Sequence, residues 1–389
     1  METSEDMNED NSSSKNFNLE KLKKCFLSFF SFYKTNQNQT TNNKRVAKYD
    51  NLKGLAILIV IFVHVISPSR ENGVDIYVTL ANFLCIFAMP IFFFVGGYFS
   101  KISEDSGIKA FKNIFIPYIL FTIIWLFFNY FVLGRAFHRY PFVVPAYALW
   151  FLISLFTIRL ILPILDKIKH ILPISILALL LIGLLPIPDD FFGYARTFGY
   201  LPVFLVGYYY NDYKKTFNEK IAKYSNLSSL FRNKISVFIM LILFIIIMWI
   251  FSDSVTYFES SYELVQFVSS YETMDLTIEI GIISRFIAVI SGIIAALFVN
   301  KLMTNKVTFL TKLGVNSFTI YILHLYIVRF VFVKLRVDSP VEFIFNDPLL
   351  TGIYTIIMVP LISYIFSRDF ITKKFNSFIK IFEKAIMHR

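Results

Sequence analysis

From residue 51 to residue 366 the chain alternates apolar runs with short polar connectors. The runs are roughly 16 to 23 residues long, close to the ~20 residues an α-helix needs to cross the hydrocarbon core of a bilayer. Ten of them fall at about 51–68, 77–99, 113–133, 146–163, 170–187, 197–211, 235–251, 278–299, 314–333 and 349–366. The fifth and sixth are interrupted by Pro and Gly. The pattern predicts an all-α polytopic membrane protein of about ten transmembrane helices. Residues 1–48, rich in Asn, Ser, Lys and Thr, read as a disordered tail. Residues 49–366 form the transmembrane domain, and 367–389 a basic tail.

Composition supports the membrane reading. Of the 389 residues, 56% are hydrophobic and 17% charged, against about 25% charged in soluble domains. Charge position then orients the helices. With the N-terminus inside, cytoplasmic segments hold Lys101, Lys109 and Lys112, Lys167 and Lys169, Lys214, Lys215, Lys220, Lys223, Arg232 and Lys234, Lys301, Lys306 and Lys312, and the basic C-terminal tail. The longest outer loop, "SDSVTYFESSYELVQFVSSYETMDLT", has neither Lys nor Arg. This positive-inside distribution predicts both termini in the cytoplasm. Topology thus accounts for the net charge of +11, so the basic balance gives no support to a nucleic-acid partner. Cys25 and Cys85 offer neither metal-ligand spacing nor a disulfide framework, and no metal is expected.

The first run, "KYDNLKGLAILIVIFVHV", places ionisable groups where burial is costly. At 100° per residue, Lys53 and His64 lie within about 20° of each other after three helical turns. Asp50 falls on the same arc and pairs with Lys53 at i, i+3. His64 then lies roughly 17 Å farther along the axis. It reads either as a structural histidine bonded to a neighbouring helix or as a general base or nucleophile, since neutral imidazole takes a proton from a hydroxyl at physiological pH.

Five stretches in order resemble the membrane-bound acyltransferase family 3. "YDNLKGLAILIVIFVH" is similar to its first-helix signature of a basic residue ahead of a His, and "MPIFFFVGGYF" to its second-helix motif. "LWFLISLF" is similar to its Trp-Phe-Leu motif, "YLPVFLVGYYY" to its Phe-x-x-Gly-Tyr pattern, and "LGVNSFTIYILH" to its closing Asn-Ser-x-x-x-Tyr-x-x-His motif. The Trp-Phe-Leu and closing motifs point to the branch with fucose 4-O-acetylase-like and exopolysaccharide proteins. Two departures stand out: Gly96 replaces a usual Ser, and Ala148 precedes "LWFL" where some members carry a polar residue.

The resemblance implies transfer of an acyl group, usually acetyl from acetyl-CoA, to a hydroxyl of a cell-surface glycan or its lipid-linked precursor, with no bound cofactor. His64 maps onto the family's essential histidine and Lys53 onto its basic partner, with Asp50 beside it. The donor acyl-CoA is expected at the cytoplasmic foot, in a protein of the cell membrane.

Other polar groups are candidates for substrate binding. His324, Tyr321 and Ser317 share one face of the ninth span, as a second cavity wall or an interhelical network. Arg285, near Glu279, reads as paired with a carboxylate or as holding an anionic part of the donor. Arg159 and Arg329, toward helix ends, read as snorkelling or paired. Arg135, His138 and Arg139 break the positive-inside trend in an outer loop and suit a sugar phosphate or carboxylated glycan, or lipid headgroups. No Gly-rich phosphate loop, HExxH or GxSxG occurs, which argues against a P-loop ATPase, a zinc protease and an α/β-hydrolase. An exporter of polysaccharide or lipid-linked sugar remains an alternative; the absence of a clear internal repeat favours an enzyme. A scaffold for a synthase complex would leave His64 dispensable.

Overall fold

The computed structural model describes residues 46–136, 140–185, 191–221, 231, 233–256 and 261–387. Among these the chain is helical and has no strand. The first half comprises α1 (Ala47–Val65), α2 (Ser67–Glu71), α3 (Asp75–Tyr98), α4 (Ser106–Val132, with π-helical turns at Phe111–Phe115 and Phe128–Val132), α5 (Tyr147–Leu165), α6 (Ile171–Ile182), α7 (Tyr194–Tyr208) and α8 (Tyr210–Ile221). The second comprises α9 (Lys234–Thr256), α10 (Ser261–Val265), α11 (Ile278–Leu302), α12 (Phe309–Val315), α13 (Ser317–Lys334), α14 (Phe343–Asn346), α15 (Pro348–Phe366) and α16 (Asp369–Ile386).

Seven of the described helices, α3, α4, α5, α9, α11, α13 and α15, are long and apolar enough to cross a membrane by length and composition. They match the second, third, fourth and seventh to tenth apolar runs. The other three runs differ for physical reasons. α1 carries Lys48, Asp50 and Lys53 in its first two turns. The fifth run condenses to the 12 residues of α6. The sixth becomes the 15-residue α7, with Pro202 inside it and the polar α8 immediately after.

α1 sits centrally, against α3, α12, α13 and α15. Leu52, Ala56, Ile57 and Ile61 are fully buried, as expected of a helix that is apolar on nearly every side. At the periphery, α9 exposes Phe238, Ile239, Leu243, Ile246, Ile247 and Ile250, and α15 exposes Leu349, Ile353, Ile356 and Ile357. A belt of this size is a lipid-facing surface rather than a water-facing one. The protein is an integral membrane protein of packed helices. The amphipathic α16 lies against the bundle, with Phe375 stacked on Phe121 at 5.3 Å and Lys112 paired with Glu383 at 2.6 Å.

Small residues set the closest helix contacts, as is usual where lipid gives helices no hydrophobic reason to associate. Gly97 of α3 and Gly207 of α7 face each other reciprocally: a Cβ on Gly97 would sit 2.0 Å from the Phe204 carbonyl oxygen, and one on Gly207 2.1 Å from that of Phe94. The glycines of "VGGYF" and "LVGYYY" therefore serve packing, and Gly97 rather than Gly96 makes the approach. The contact between α1 and α12 is tighter: Gly54 lies under the Leu310 carbonyl, and a Cβ on Gly314 would stand 1.7 Å from the Asp50 carbonyl oxygen.

Gly314→Ala is therefore expected to lower the unfolding temperature of the detergent-solubilised protein by several degrees, because overpacking costs about 1–3 kcal/mol. Gly107→Ala, whose Cβ would meet only Leu160 at 3.9 Å, is the control. Equal melting of both variants and wild type would remove the α1–α12 contact from the stability of the fold.

Candidate active site

The site is built outward from Asn51, a fully buried residue in the first turns of α1. Its amide nitrogen donates to the carbonyls of Thr304 at 3.0 Å and Lys306 at 2.9 Å. Its Oδ1 accepts from the hydroxyls of Thr308 at 2.8 Å and Thr311 at 2.6 Å. All four bonds an Asn side chain can make are thus made. Thr308 and Thr311 also form the capping box that opens α12, so the residues that start α12 hold it on α1. α12 runs back along α1, with Leu310 against Gly54 and Gly314 against Asp50, and α13 then runs beside α1 toward His64. Asp50 lies beside Gly314 at one level, and His64 beside His324 at the next.

At that second level His324 Nε2 lies 3.2 Å from His64 Nδ1, with the ring centroids 5.1 Å apart. Backbone carbonyls assign the protons. His324 Nδ1 is 2.9 Å from the Ile320 carbonyl oxygen, which only accepts, so this nitrogen carries the proton and the Nε2 of a neutral ring is left with its lone pair. His64 Nδ1 faces two acceptors, that lone pair and the Val60 carbonyl oxygen at 2.9 Å. It must therefore carry the proton, and the neutral His64 ring has a bare Nε2. That nitrogen has no hydrogen-bond partner among the described residues.

His64 lines a small cavity with Tyr262, Gln266, Tyr321, Trp150 and Cys85. Its volume is about 30 Å³, room for a water molecule or a substrate hydroxyl. The Tyr321 hydroxyl donates to the Ala148 carbonyl, which fixes one wall. Trp150 forms another, stacked 5.6 Å from Tyr200, which stacks 4.7 Å from Phe93. Outside the cavity lining, the Tyr147 ring lies 5.3 Å from that of His64 and stacks on Trp125 at 5.6 Å. Tyr147 adopts φ +48°, a left-handed conformation rare for a bulky side chain and costing of order 1–3 kcal/mol. An acceptor oxygen in this cavity would meet a base oriented by a second imidazole, the arrangement that activates hydroxyl nucleophiles.

The chain belongs to acyltransferase family 3. The acyltransferase domain matches residues 46–368, more than four-fifths of the sequence, and both histidines and the clamp lie inside the match. None of the curated proteins and none of the solved structures compared with the chain matches it. As a family 3 acyltransferase the protein is a membrane enzyme that moves an acyl group.

The structure brings some of the anticipated residues together and separates others. Lys53 Nζ is 2.8 Å from Asp50 Oδ1, the i, i+3 pair expected from spacing. His64, His324 and Tyr321 meet at one site. Ser317 shares the face of His324 but lies two turns away, outside the cavity. Arg285 makes no carboxylate pair among the described residues: it donates to the Ser269 carbonyl and lies 4.8 Å from the Tyr271 ring centroid, in a separate cluster. Arg135 is exposed, while His138 and Arg139 fall outside the described residues. Sequence reasoning missed Asn51, Tyr147, Tyr262 and Gln266. Asn51 points 100° away from its neighbour Asp50 on the helix, off the stripe of Asp50, Lys53 and His64. Tyr147 precedes the Ala148 departure, which was its one signal.

In ¹⁵N NMR of histidine-labelled protein, with His64→Gln identifying the resonance, His64 is expected to show a protonated Nδ1 and an unprotonated Nε2. A proton on Nε2 would overturn the assignment.

Proposed function

We propose that the protein is an O-acyltransferase that takes an acyl group, acetyl by family resemblance, from acyl-CoA and passes it to a hydroxyl of a cell-surface glycan or its lipid-linked precursor. The observation that carries this reading is a His64 ring that lines a hydroxyl-sized cavity, bonded through Nδ1 to His324 and with a bare Nε2, in a family 3 acyltransferase. In this reading α1, α6 and α7 complete ten helices around the site, both termini lie in the cytoplasm, and the protein is a multi-pass resident of the cell membrane. The charge distribution supports that orientation.

His64 Nε2 takes the proton of the acceptor hydroxyl as its oxygen attacks the thioester carbonyl of the donor. The tetrahedral intermediate collapses with cleavage of the carbon–sulfur bond. The proton held on Nε2 passes to the departing CoA sulfur, which restores the neutral ring. His324 is a positioning residue: its Nε2 accepts from His64 Nδ1–H and supports the imidazolium while it exists. Lys53 and Asp50 mark the cytoplasmic foot, where the Lys53 ammonium attracts donor phosphate. Alternatively His64 carries the acyl group itself, in which case an acyl-enzyme accumulates when acceptor is withheld.

Membranes supplied with labelled acetyl-CoA test the reading by alkali-labile label on glycan. His64→Ala is expected to cut transfer by about 10²- to 10⁴-fold, the usual contribution of a general base. Undiminished transfer would remove His64 from the mechanism. Labelling no higher than in membranes without the protein would favour the exporter. Mass spectrometry of protein given donor but no acceptor separates the two roles of His64, with unmodified His64 expected for a base. Lys53→Met is expected to raise the donor concentration at half-maximal rate more than it lowers the maximal rate.

A further inference from the structure

Beyond His324, α13 continues to Arg329. Its guanidinium lies 5.3 Å from the centroid of Tyr147 and 5.1 Å from that of Phe332, and forms no hydrogen bond or ion pair with the described residues. The Tyr147 ring reaches the His64 ring at 5.3 Å. The strained tyrosine therefore touches both a partly exposed cation, Arg329, and the His64 ring.

Further cations act on this pair. Arg135 and Arg336 act electrostatically on Arg329, and Arg70 acts on Tyr147. The carboxylate facing the group is Glu71, and the Arg70 guanidinium donates to it. Arg336 is held by the Asn72 side chain at 3.1 Å. Among the described residues, Glu71 is thus the carboxylate that acts on Arg329 and Tyr147, against the guanidinium groups of Arg70, Arg135 and Arg336. In the proposed orientation this is the outer side of the membrane, where arginine is ordinarily depleted. An unpaired guanidinium one aromatic ring away from the candidate base suits a planar anion, because carboxylate and phosphate match its fork of donors.

We infer that the acceptor is an anionic glycan, whose carboxylate or phosphate docks on Arg329 above Tyr147 while a neighbouring hydroxyl reaches His64. The inference rests on the acyltransferase reading of His64. It names the substrate class: a uronate-bearing or phosphate-bearing sugar.

Saturation-transfer NMR on the full chain in nanodiscs tests it, with glucuronate, glucose 1-phosphate, glucose and inorganic phosphate as probes. Glucuronate or glucose 1-phosphate is expected to bind about tenfold tighter than glucose, the scale of a charge-assisted pair. That preference should vanish in Arg329→Gln and persist in part in Arg329→Lys. Equal binding of charged and neutral sugars, or no binding of either, overturns the inference. So does a preference untouched by Arg329→Gln, or inorganic phosphate binding as tightly as glucose 1-phosphate, which would make this a site for free anions. The wild-type comparison stands even where a variant fails to fold. Acetyl-CoA cleavage in the same wild-type preparation separates the two claims. Anion preference without cleavage removes the acyltransferase reading, whereas cleavage without preference removes the anionic acceptor alone.

Discussion

Asn51 makes all four of its possible hydrogen bonds to the segment Thr304–Thr311, and the rest of the site depends on that buried junction. An unsatisfied amide there would cost about 1–3 kcal/mol for each group left unpaired. The bonds therefore admit one register between α1 and α12. Gly54 and Gly314 let the two backbones touch in that register, and any side chain at Gly314 would collide with the Asp50 carbonyl. α13 begins directly after α12, past Asn316, and runs beside α1 from that fixed junction. His64 and His324, separated by 260 positions in the chain, consequently meet within hydrogen-bond distance.

The same junction explains why polar groups persist in so apolar an interior. A lone imidazole among lipid-embedded helices is expensive. Here each Nδ1 of the pair has a carbonyl acceptor one turn back on its own helix, and the contact between rings satisfies one more position. The remaining lone pair belongs to Nε2 of His64, a residue that lines the cavity. Tyr147 adds a cost of another kind, a left-handed aromatic residue wedged between Trp125, Arg329 and His64, and strain at such a place accords with a binding surface.

Much of this was legible in the chain. Apolar run length marked the helices, and the exceptions fell where charge, Pro or polar continuation intervened: α1, α6 and α7. Helical spacing placed Asp50, Lys53 and His64 on one stripe, and the first two do pair. The contact between His64 and His324 was not legible, because one sequence carries no record of which helices pack. Arg285 had a carboxylate nearby in sequence, Glu279, but its helix turns it to the Ser269 carbonyl instead. Arg329 read as a helix-end residue finding solvent or a partner; it is partly exposed, and the position of Tyr147 beneath it was not legible in the sequence. The clamp at Asn51 hid among charged neighbours, since an amide that satisfies itself leaves no periodic pattern.

The central claim is that His64 and His324 act as one unit. A double-mutant cycle on acetyl transfer tests this most directly, comparing His64→Gln, His324→Gln and the double variant with wild type. The account predicts strong non-additivity: once His64 is gone, removing His324 costs little more, as for groups sharing one mechanism. If the two losses multiply, the histidines act independently, and the contact between them is not what readies His64.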